Sequence, residues 1–432
     1  MKITILHHHL NPGGVTRIIR SQVGSLRKRF PGTEIRVITG KAADNDYFTD
    51  TGVEVIENHD LGYILGQDLT PEQTRELFNR IKRYLKEHIG TDSIIHVHNL
   101  NLGKNPVLTV ALSEMTTAGY RLFNHCHDFA EDRPANIGYM KKIIQGHFGK
   151  KLQSVMYPDR PEYHFGTINA FDRERIIGMG VDPERVDHLP NPVHFDKEID
   201  MHKSEAKKEI CNQLDIDASK PLVTYPVRVI SRKNIGEMIL LATVFENAAN
   251  WLVTQPPKNP SEIVHYEKWV DFCRLENIPI TFEAGNKVDF EKLLVATDVC
   301  ISTSLREGFG MVFLEPWLFN TPVMGRNIDY VTKDLIDSGV EFPLLYNEIN
   351  VLVDDTIMDF GELNPQQQQN FIHKIRQDQP KKKKVKEMNP RLAVIFEPVS
   401  ETMIRRNKQT IQKQYSLDNY ALRLNGIYRK MA

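Results

Sequence analysis

The sequence predicts an α/β protein built from two doubly wound parallel sheets, and three observations carry that expectation. Apolar runs of strand length alternate with longer stretches of helical period through most of the chain. The rhythm restarts near residue 221 after a proline-bounded segment, and a chain of 432 residues exceeds what one core accommodates, giving two domains of about 200 residues each. Polar clusters follow several strands on their carboxyl side, where open parallel sheets bind ligands.

Residues 2 to 8 read as a buried strand, and NPGGVTRIIRSQVGSLRKRF follows as a glycine turn and a helix. Gly13 and Gly14 let a backbone approach a ligand closely, while the helix from Val15 aims its N-terminus at the same place. A plain tight turn fits that motif equally well, and GxGxxG does not occur here. Strand-like runs recur at 35–39, 53–57, 93–100 and 120–129, with helical stretches near 71–89 and 104–118. Three polar clusters fall at strand ends: His7 to Asn11, His98 to Lys104, and His125 to Asp132. His7, His8 and His9 do not make a metal site, because successive strand residues point to opposite faces.

RVDHLPNPVHF, with a proline on either side of Asn191, reads as the interdomain linker. The second half restarts with the strand 221–230, then SRKNIGEMILLATVFENA, whose apolar spacing suits a helix. Further alternation follows at NWLVTQ, a helix near 261–276, IPITFEAGNKV, a helix near 288–296, DVCISTS and TPVMG. Arg228 and Lys233, at a strand end and a helix entry, are two cations suited to a diphosphate. Beyond about residue 346 the pattern weakens. GELNPQQQQNF and QPKKKKVKEMNP read as solvated insertions, with the four-lysine run as an exposed loop, and the closing YSLDNYALRLNGIYRKM is amphipathic and helical.

The bulk properties narrow the function classes. Net charge is −1, which does not suggest nucleic acid or an anionic membrane as partner, and no apolar run approaches the ~20 residues of a membrane span. Cys126, Cys211, Cys273 and Cys300 show no CxxC spacing, so neither a disulfide framework nor a structural zinc site is expected. The start, MKITILHHH, lacks the long apolar core of a signal peptide, and a cytoplasmic protein is the expectation.

The chemistry concentrates in SLREGFGMVFLEP, residues 304–316. Glu307 opens a Gly-Phe-Gly turn and Glu315 follows eight residues later. On one continuous helix that spacing is roughly 12 Å, with free N–H groups at Gly308, Phe309 and Gly310 for an anion. Such a length suits a ligand with hydroxyls at both ends and a diphosphate between them. The plainer alternative is a polar helix start above a core of Phe309, Val312, Phe313 and Leu314.

Glu307, GFG and Glu315 resemble the paired-glutamate motif of the retaining GT-B glycosyltransferases of family four. Gly13-Gly14, His127-Asp128, LPNPV, Arg228 with Lys233, and YSLDNYALRLNGIY match in the same order. The resemblance implies a GT-B fold: two Rossmann-like domains facing a central cleft, residues 1–192 on the acceptor side, joined by a C-terminal helix 415–432, and residues 193–414 binding the donor. It implies that Arg228 and Lys233 hold a donor diphosphate, Glu315 the ribose and Glu307 the sugar hydroxyls. Gly308, Phe309 and Gly310 would supply backbone donors, His127 would lie near the transferred sugar, and Gly13-Gly14 would close over the diphosphate. Catalysis would then be electrostatic, by His127, Arg228, Lys233 and Glu307, without protein nucleophile, metal or cofactor beyond a donor of the UDP-glucose or GDP-mannose type.

Where the family commonly has glycine after the lysine, this chain has Asn234, and TQPPKNP replaces a glycine loop. The DND run, Asp44 to Asp46, resembles the DxD of metal-dependent transferases of another fold, but reads here as a solvated loop. For the acceptor, the loops 98–105 and 127–139 suggest a small sugar or polyol derivative carrying an acid group, met by Asn101, Lys104, Arg133 and Asn136. Competing readings are a lipid-linked or glycan acceptor, an epimerase or phosphorylase on the same fold, and a nucleotide-sugar sensor.

Overall fold

The computed structural model describes residues 1–42, 48, 51–194 and 199–432. The chain divides into two compact units, Met1–Pro192 with Tyr415–Ala432, and Val193–Gln414. The DND run lies outside the described residues.

In the first unit seven strands form one parallel sheet, β1 (Lys2–His7), β2 (Glu34–Thr39), β3 (Glu54–Glu57), β4 (Ser93–His98), β5 (Arg121–Cys126), β6 (Tyr163–Thr167) and β7 (Val186–His188). Their order is β3-β2-β1-β4-β5-β6-β7, so the topology reverses between β1 and β4. The central strands are buried along nearly their whole length, as a sheet covered on both faces requires. One face packs on Pro71–His88 and Pro106–Thr116. On the other, Ile3, Ile5, Ile94 and Phe123 meet Gly14–Arg29 and the C-terminal helix Leu417–Met431. That last helix is amphipathic because Tyr420, Ala421, Leu424, Ile427 and Tyr428 recur at three- and four-residue spacing and are all buried.

The second unit carries β8 (Leu222–Arg228), β9 (Asn250–Gln255), β10 (Ile280–Thr281), β11 (Val299–Ser302), β12 (Val323–Arg326) and β13 (Leu344–Tyr346). They form a parallel sheet in the order β10-β9-β8-β11-β12-β13, with its reversal between β8 and β11. A separate antiparallel hairpin joins Asn350–Val353 to Thr356–Asp359.

The region beyond residue 346 corrects the sequence reading. Residues 365–376 and 379–388 are two helices, not solvated insertions. Asn364 caps the first with a capping box to Gln367, and Phe371, Ile372 and Ile375 join the core of Ile235–Val244, Trp251 and Trp269. The glutamine run hid this helix because its apolar residues come late, within the five positions 371–375. In the second helix Lys382 and Val385 share the inward face, and Lys382 pairs with Glu246 at 3.0 Å. The lysine run is therefore part of a packed helix, with Lys382 turned inward and Lys381, Lys383 and Lys384 exposed.

Candidate functional site

In the second unit the site forms where the sheet topology reverses, at the carboxyl ends of β8 and β11. After β8 the chain makes a short turn, Ser231–Lys233, then enters the helix Ile235–Val244 through Asn234. After β11 it runs without helix through Ser304–Gly310. The two segments are stitched together: Leu305 N–H donates to the Arg232 carbonyl at 2.9 Å, and Thr303 Oγ1 donates to the Lys233 carbonyl at 3.1 Å. The Tyr225 hydroxyl, buried in β8, donates to the Lys233 carbonyl at 2.8 Å and lies 2.9 Å from Ser304 Oγ.

These bonds bring Lys233 and Glu307 together as a buried ion pair, both side chains about nine-tenths enclosed. Arg232 Nη1 reaches the other carboxylate oxygen at 2.8 Å. The Glu307 backbone is clamped by Tyr330, whose hydroxyl donates to the Glu307 carbonyl at 2.8 Å and accepts its N–H at 3.0 Å. Burial alone would raise the Glu307 carboxyl, yet Lys233 and then Arg232 hold it below the ordinary carboxylate value. Burial lowers the Lys233 ammonium against the pull of Glu307. The result is a buried carboxylate shared by two cations.

Asn234 resolves the departure from the lysine-glycine pattern. It adopts the left-handed conformation, φ 48° and ψ 52°, for which glycine is the default and asparagine the best-tolerated alternative. Its side chain is fixed from two sides: Gln368 Nε2 donates to its Oδ1 at 2.9 Å, and its Nδ2 donates to Glu237 Oε2 at 3.0 Å. Gln368 belongs to the helix 365–376, so the segment read as an insertion supports the turn that carries Lys233.

Other expected residues fall differently. Glu307 and Glu315 do not share a helix. Met311–Phe313 is a 3-10 turn, and Glu315–Leu318 is a separate four-residue helix. Gly310 stands at φ +79°, and Pro316 has no N–H to continue a preceding turn, so the chain bends twice and the axial spacing of one helix does not apply. At Gly310 an added Cβ would lie 2.6 Å from Val331 Cγ1, so this glycine is required sterically as well. Arg228 ends β8 exposed to solvent, and the guanidinium beside Glu307 belongs to Arg232, which the sequence reading passed over.

In the first unit the polar clusters lie at the ends of β1, β4 and β5, adjacent strands around that sheet's reversal. Asn99, at φ 58°, uses Oδ1 to accept the N–H groups of His127 (2.7 Å) and Asp128 (3.1 Å). His127 Nε2 lies 3.0 Å from His98 Nδ1. Gly13 is the N-cap of Gly14–Arg29 and has no side-chain cap, and a Cβ at Gly14 would meet nothing within 4 Å. The helix entry is thus open to an approaching group.

Asn101 and Asn136 are buried rather than presented to a ligand. Asn101 Nδ2 donates to the Asp128 carbonyl at 3.0 Å and Asn136 Nδ2 to the Leu102 carbonyl at 2.7 Å, so both amide nitrogens shape the loops, while Asn101 Oδ1 is buried without a partner among the described residues. Lys104 and Arg133 do stand together. Lys104 Nζ lies 5.5 Å from the centre of the Tyr63 ring, whose hydroxyl is 3.2 Å from His9 Nε2, and Arg133 pairs with Asp128 at 2.8 Å. Partial burial and then Arg133 lower the Lys104 ammonium, opposed by Asp128. Tyr63 and His9 complete a basic, hydroxyl-bearing patch that the spacing of the sequence did not reveal.

No family model matches the chain. It is similar to mannosylglucosyl-3-phosphoglycerate synthase of Petrotoga mobilis, 31% identical over 341 residues, covering 76% of this chain and 65% of that protein. The chain therefore spans just under two thirds of that relative's length. A glycosyltransferase from Rickettsia africae superposes with a TM-score of 0.63 at 15% identity, covering 100% of this chain and 98% of the other. Anabaena HepE in complex with UDP-glucose gives 0.61 at 14% identity, covering 99% of both.

The chain has the GT-B glycosyltransferase fold. The GT-B architecture accounts for the two separate parallel sheets, each reversing beside a polar cluster, and for Tyr415–Ala432 joining the first unit. Among the described residues no helix is long and apolar enough to cross a membrane.

Proposed function

We propose that the protein is a retaining hexosyltransferase that moves a hexose from a nucleotide diphosphate sugar, of the UDP-glucose or GDP-mannose type, to a hydroxyl of a small polar acceptor carrying an acid group. The observation that carries this reading is the buried Lys233–Glu307 pair with Arg232 on its second oxygen, set at the topological reversal of the second sheet. Glu307 pairs with cations that a diphosphate will need. When the donor binds, its phosphates take up Lys233, with Arg228 and Arg232 nearby in the chain, and Glu307 turns to the sugar hydroxyls. Glu315 receives the ribose, and the N–H groups of Gly308, Phe309 and Gly310 serve the sugar or phosphate.

The reaction follows from that charge distribution. The bond between the anomeric carbon and the phosphate oxygen breaks, and negative charge grows on the leaving diphosphate, where fixed cations stabilise it most. The acceptor oxygen bonds to the anomeric carbon from the same face, and its proton passes to the departing phosphate oxygen. His127 borders the sugar, and Gly13-Gly14 close over the diphosphate. The patch of His9, Tyr63, Lys104 and Arg133 receives the acid group of the acceptor, a reading supported by the relative whose name specifies a phosphoglycerate product.

A thermal-shift panel of nucleotides and nucleotide sugars tests the donor half, because a ligand that binds only the native state raises its stability. One nucleoside diphosphate is expected to raise the Tm of the wild type and not of Lys233→Ala. A panel with no shift at millimolar ligand would remove the donor reading. Transfer assays with phosphorylated, carboxylated and lipid-linked acceptors then test the acceptor half, and transfer to lipid carriers alone would overturn it.

A further inference from the structure

We infer that His96, His98 and His125 form a binding site for a first-row transition-metal dication, with Zn²⁺ the ion best suited to it. β4 carries His-Val-His and β5 carries His-Cys-His, and residues two apart on a strand share a face. His98 stands opposite His125 in the parallel register, so the pleat gathers these imidazoles under the helices Gly14–Arg29 and Leu417–Met431. The alternation that sends His7, His8 and His9 to different faces brings His96 with His98, and His125 with His127, to one face.

The geometry suits nitrogen ligation. One ring nitrogen from each of the three histidines lies within 4.8 Å of the others. His96 Nε2 and His125 Nδ1 are 3.4 Å apart, close to the ~3.3 Å that separates two ligands at a tetrahedral ion with bonds of ~2.0–2.1 Å. All three side chains are fully buried, and His125 Nε2 has no hydrogen-bond partner.

An outer shell orients them. Gln22 Oε1 lies 2.9 Å from His98 Nε2, which puts the proton there and the lone pair on Nδ1, so ligation replaces the 3.0 Å contact of Nδ1 with His127 Nε2. The Tyr428 hydroxyl lies 2.6 Å from His96 Nδ1, leaving Nε2 for the ion. Gln22 Nε2 is also 2.8 Å from His96 Nδ1, so the metal-bound tautomer requires that amide to donate to Tyr428 alone, already 2.8 Å away. An all-imidazole set selects Zn²⁺, Co²⁺, Ni²⁺ or Cu²⁺ over Mg²⁺, Ca²⁺ and Mn²⁺, which favour oxygen. Three imidazoles leave a fourth position to water or an anion. The ion would tie the ends of β4 and β5 together beneath His127.

The test uses the full chain without an affinity tag, stripped with a chelator and dialysed against Zn²⁺ or Co²⁺. One equivalent of zinc per chain is expected to survive desalting, and Co²⁺ is expected to give the intense visible bands of a tetrahedral nitrogen site. His96→Gln and His125→Gln should weaken binding at least tenfold, while exposed His59→Gln leaves it unchanged. Circular dichroism and Tm establish that the variants fold, and if either does not, the wild-type Co²⁺ spectrum decides the question. Substoichiometric zinc without tetrahedral bands, or binding that survives both substitutions, would overturn the site and leave the histidines as a neutral hydrogen-bonded ladder. None of these readouts depends on transferase activity.

Discussion

Lys233 and Glu307, 74 residues apart in sequence, form a buried ion pair at the junction of two loops. Arg232 shares the carboxylate, so the pair is a three-charge group with one net positive charge. On the proposed function, truncating either partner removes a charged contact to the reacting ligand, about 1.5–3 kcal/mol. Lys233→Ala and Glu307→Ala are each expected to reduce transfer at least tenfold in steady-state assays. The two effects should combine to less than their product, because both act on one network. Near-normal turnover in either variant would place that residue outside the site.

The same group has a pH signature. Glu307 is held below its ordinary value by Lys233 and Arg232 against the opposing effect of burial. A carboxyl depressed in the folded state adds stability above its unfolded value and loses it as pH falls through the folded one. Acidification from about pH 5 to about pH 3 should therefore lower the Tm of the wild type more than that of Glu307→Gln. Equal slopes in the two proteins would mean that the pair contributes nothing to folding.

At Asn234 two effects can be separated. Replacement by glycine keeps the left-handed backbone and removes only the bonds to Gln368 and Glu237. Replacement by alanine also places a Cβ at φ 48°, which adds about 1–2 kcal/mol. Chemical denaturation should thus rank stability as wild type, then Asn234→Gly, then Asn234→Ala. If alanine equals glycine, the backbone conformation is not what the position demands.

The strand and helix rhythm was legible because buried parallel strands and amphipathic helices write their burial into the sequence. Lys233 and Glu307 were legible for a related reason, since both sit at the ends of obvious strands. Arg232 was not, because sequence does not show that both adjacent cations, Arg232 and Lys233, reach the same carboxylate across more than 70 residues. Asn101 and Asn136 look like ligand groups in a polar loop, yet a loop that bends back on a buried surface needs its own hydrogen bonds first. The histidine pairs of β4 and β5 were visible as His-x-His, but only the register across strands joins them.

For the acceptor, Lys104 and Arg133 are the cations of the first unit's patch. Lys104→Ala should raise the KM for an acid-bearing acceptor at least tenfold, a loss of about 1.4 kcal/mol, with little change in the KM for the donor. An equal rise for both substrates would show that Lys104 shapes the protein rather than the acceptor subsite.

The helices 365–376 and 379–388 give the sharpest contrast between composition and structure. Ile375 is about 1% exposed and packs in the core that includes Ile235–Val244, so Ile375→Ala should cost about 2–5 kcal/mol by denaturant unfolding. Lys383 and Lys384 face solvent on the next helix, and alanine at either should change stability by less than about 0.5 kcal/mol. Lys382, between them and Lys381, is turned inward against Glu246, which Arg376 also holds at 2.6 Å. Lys382→Ala leaves that carboxylate with one partner, and its cost should fall between those of Ile375→Ala and Lys383→Ala. A flat response across all three would restore the reading of this region as a solvated insertion. The graded response would also link it to chemistry, because Gln368 on the first of these helices holds Asn234 beside Lys233.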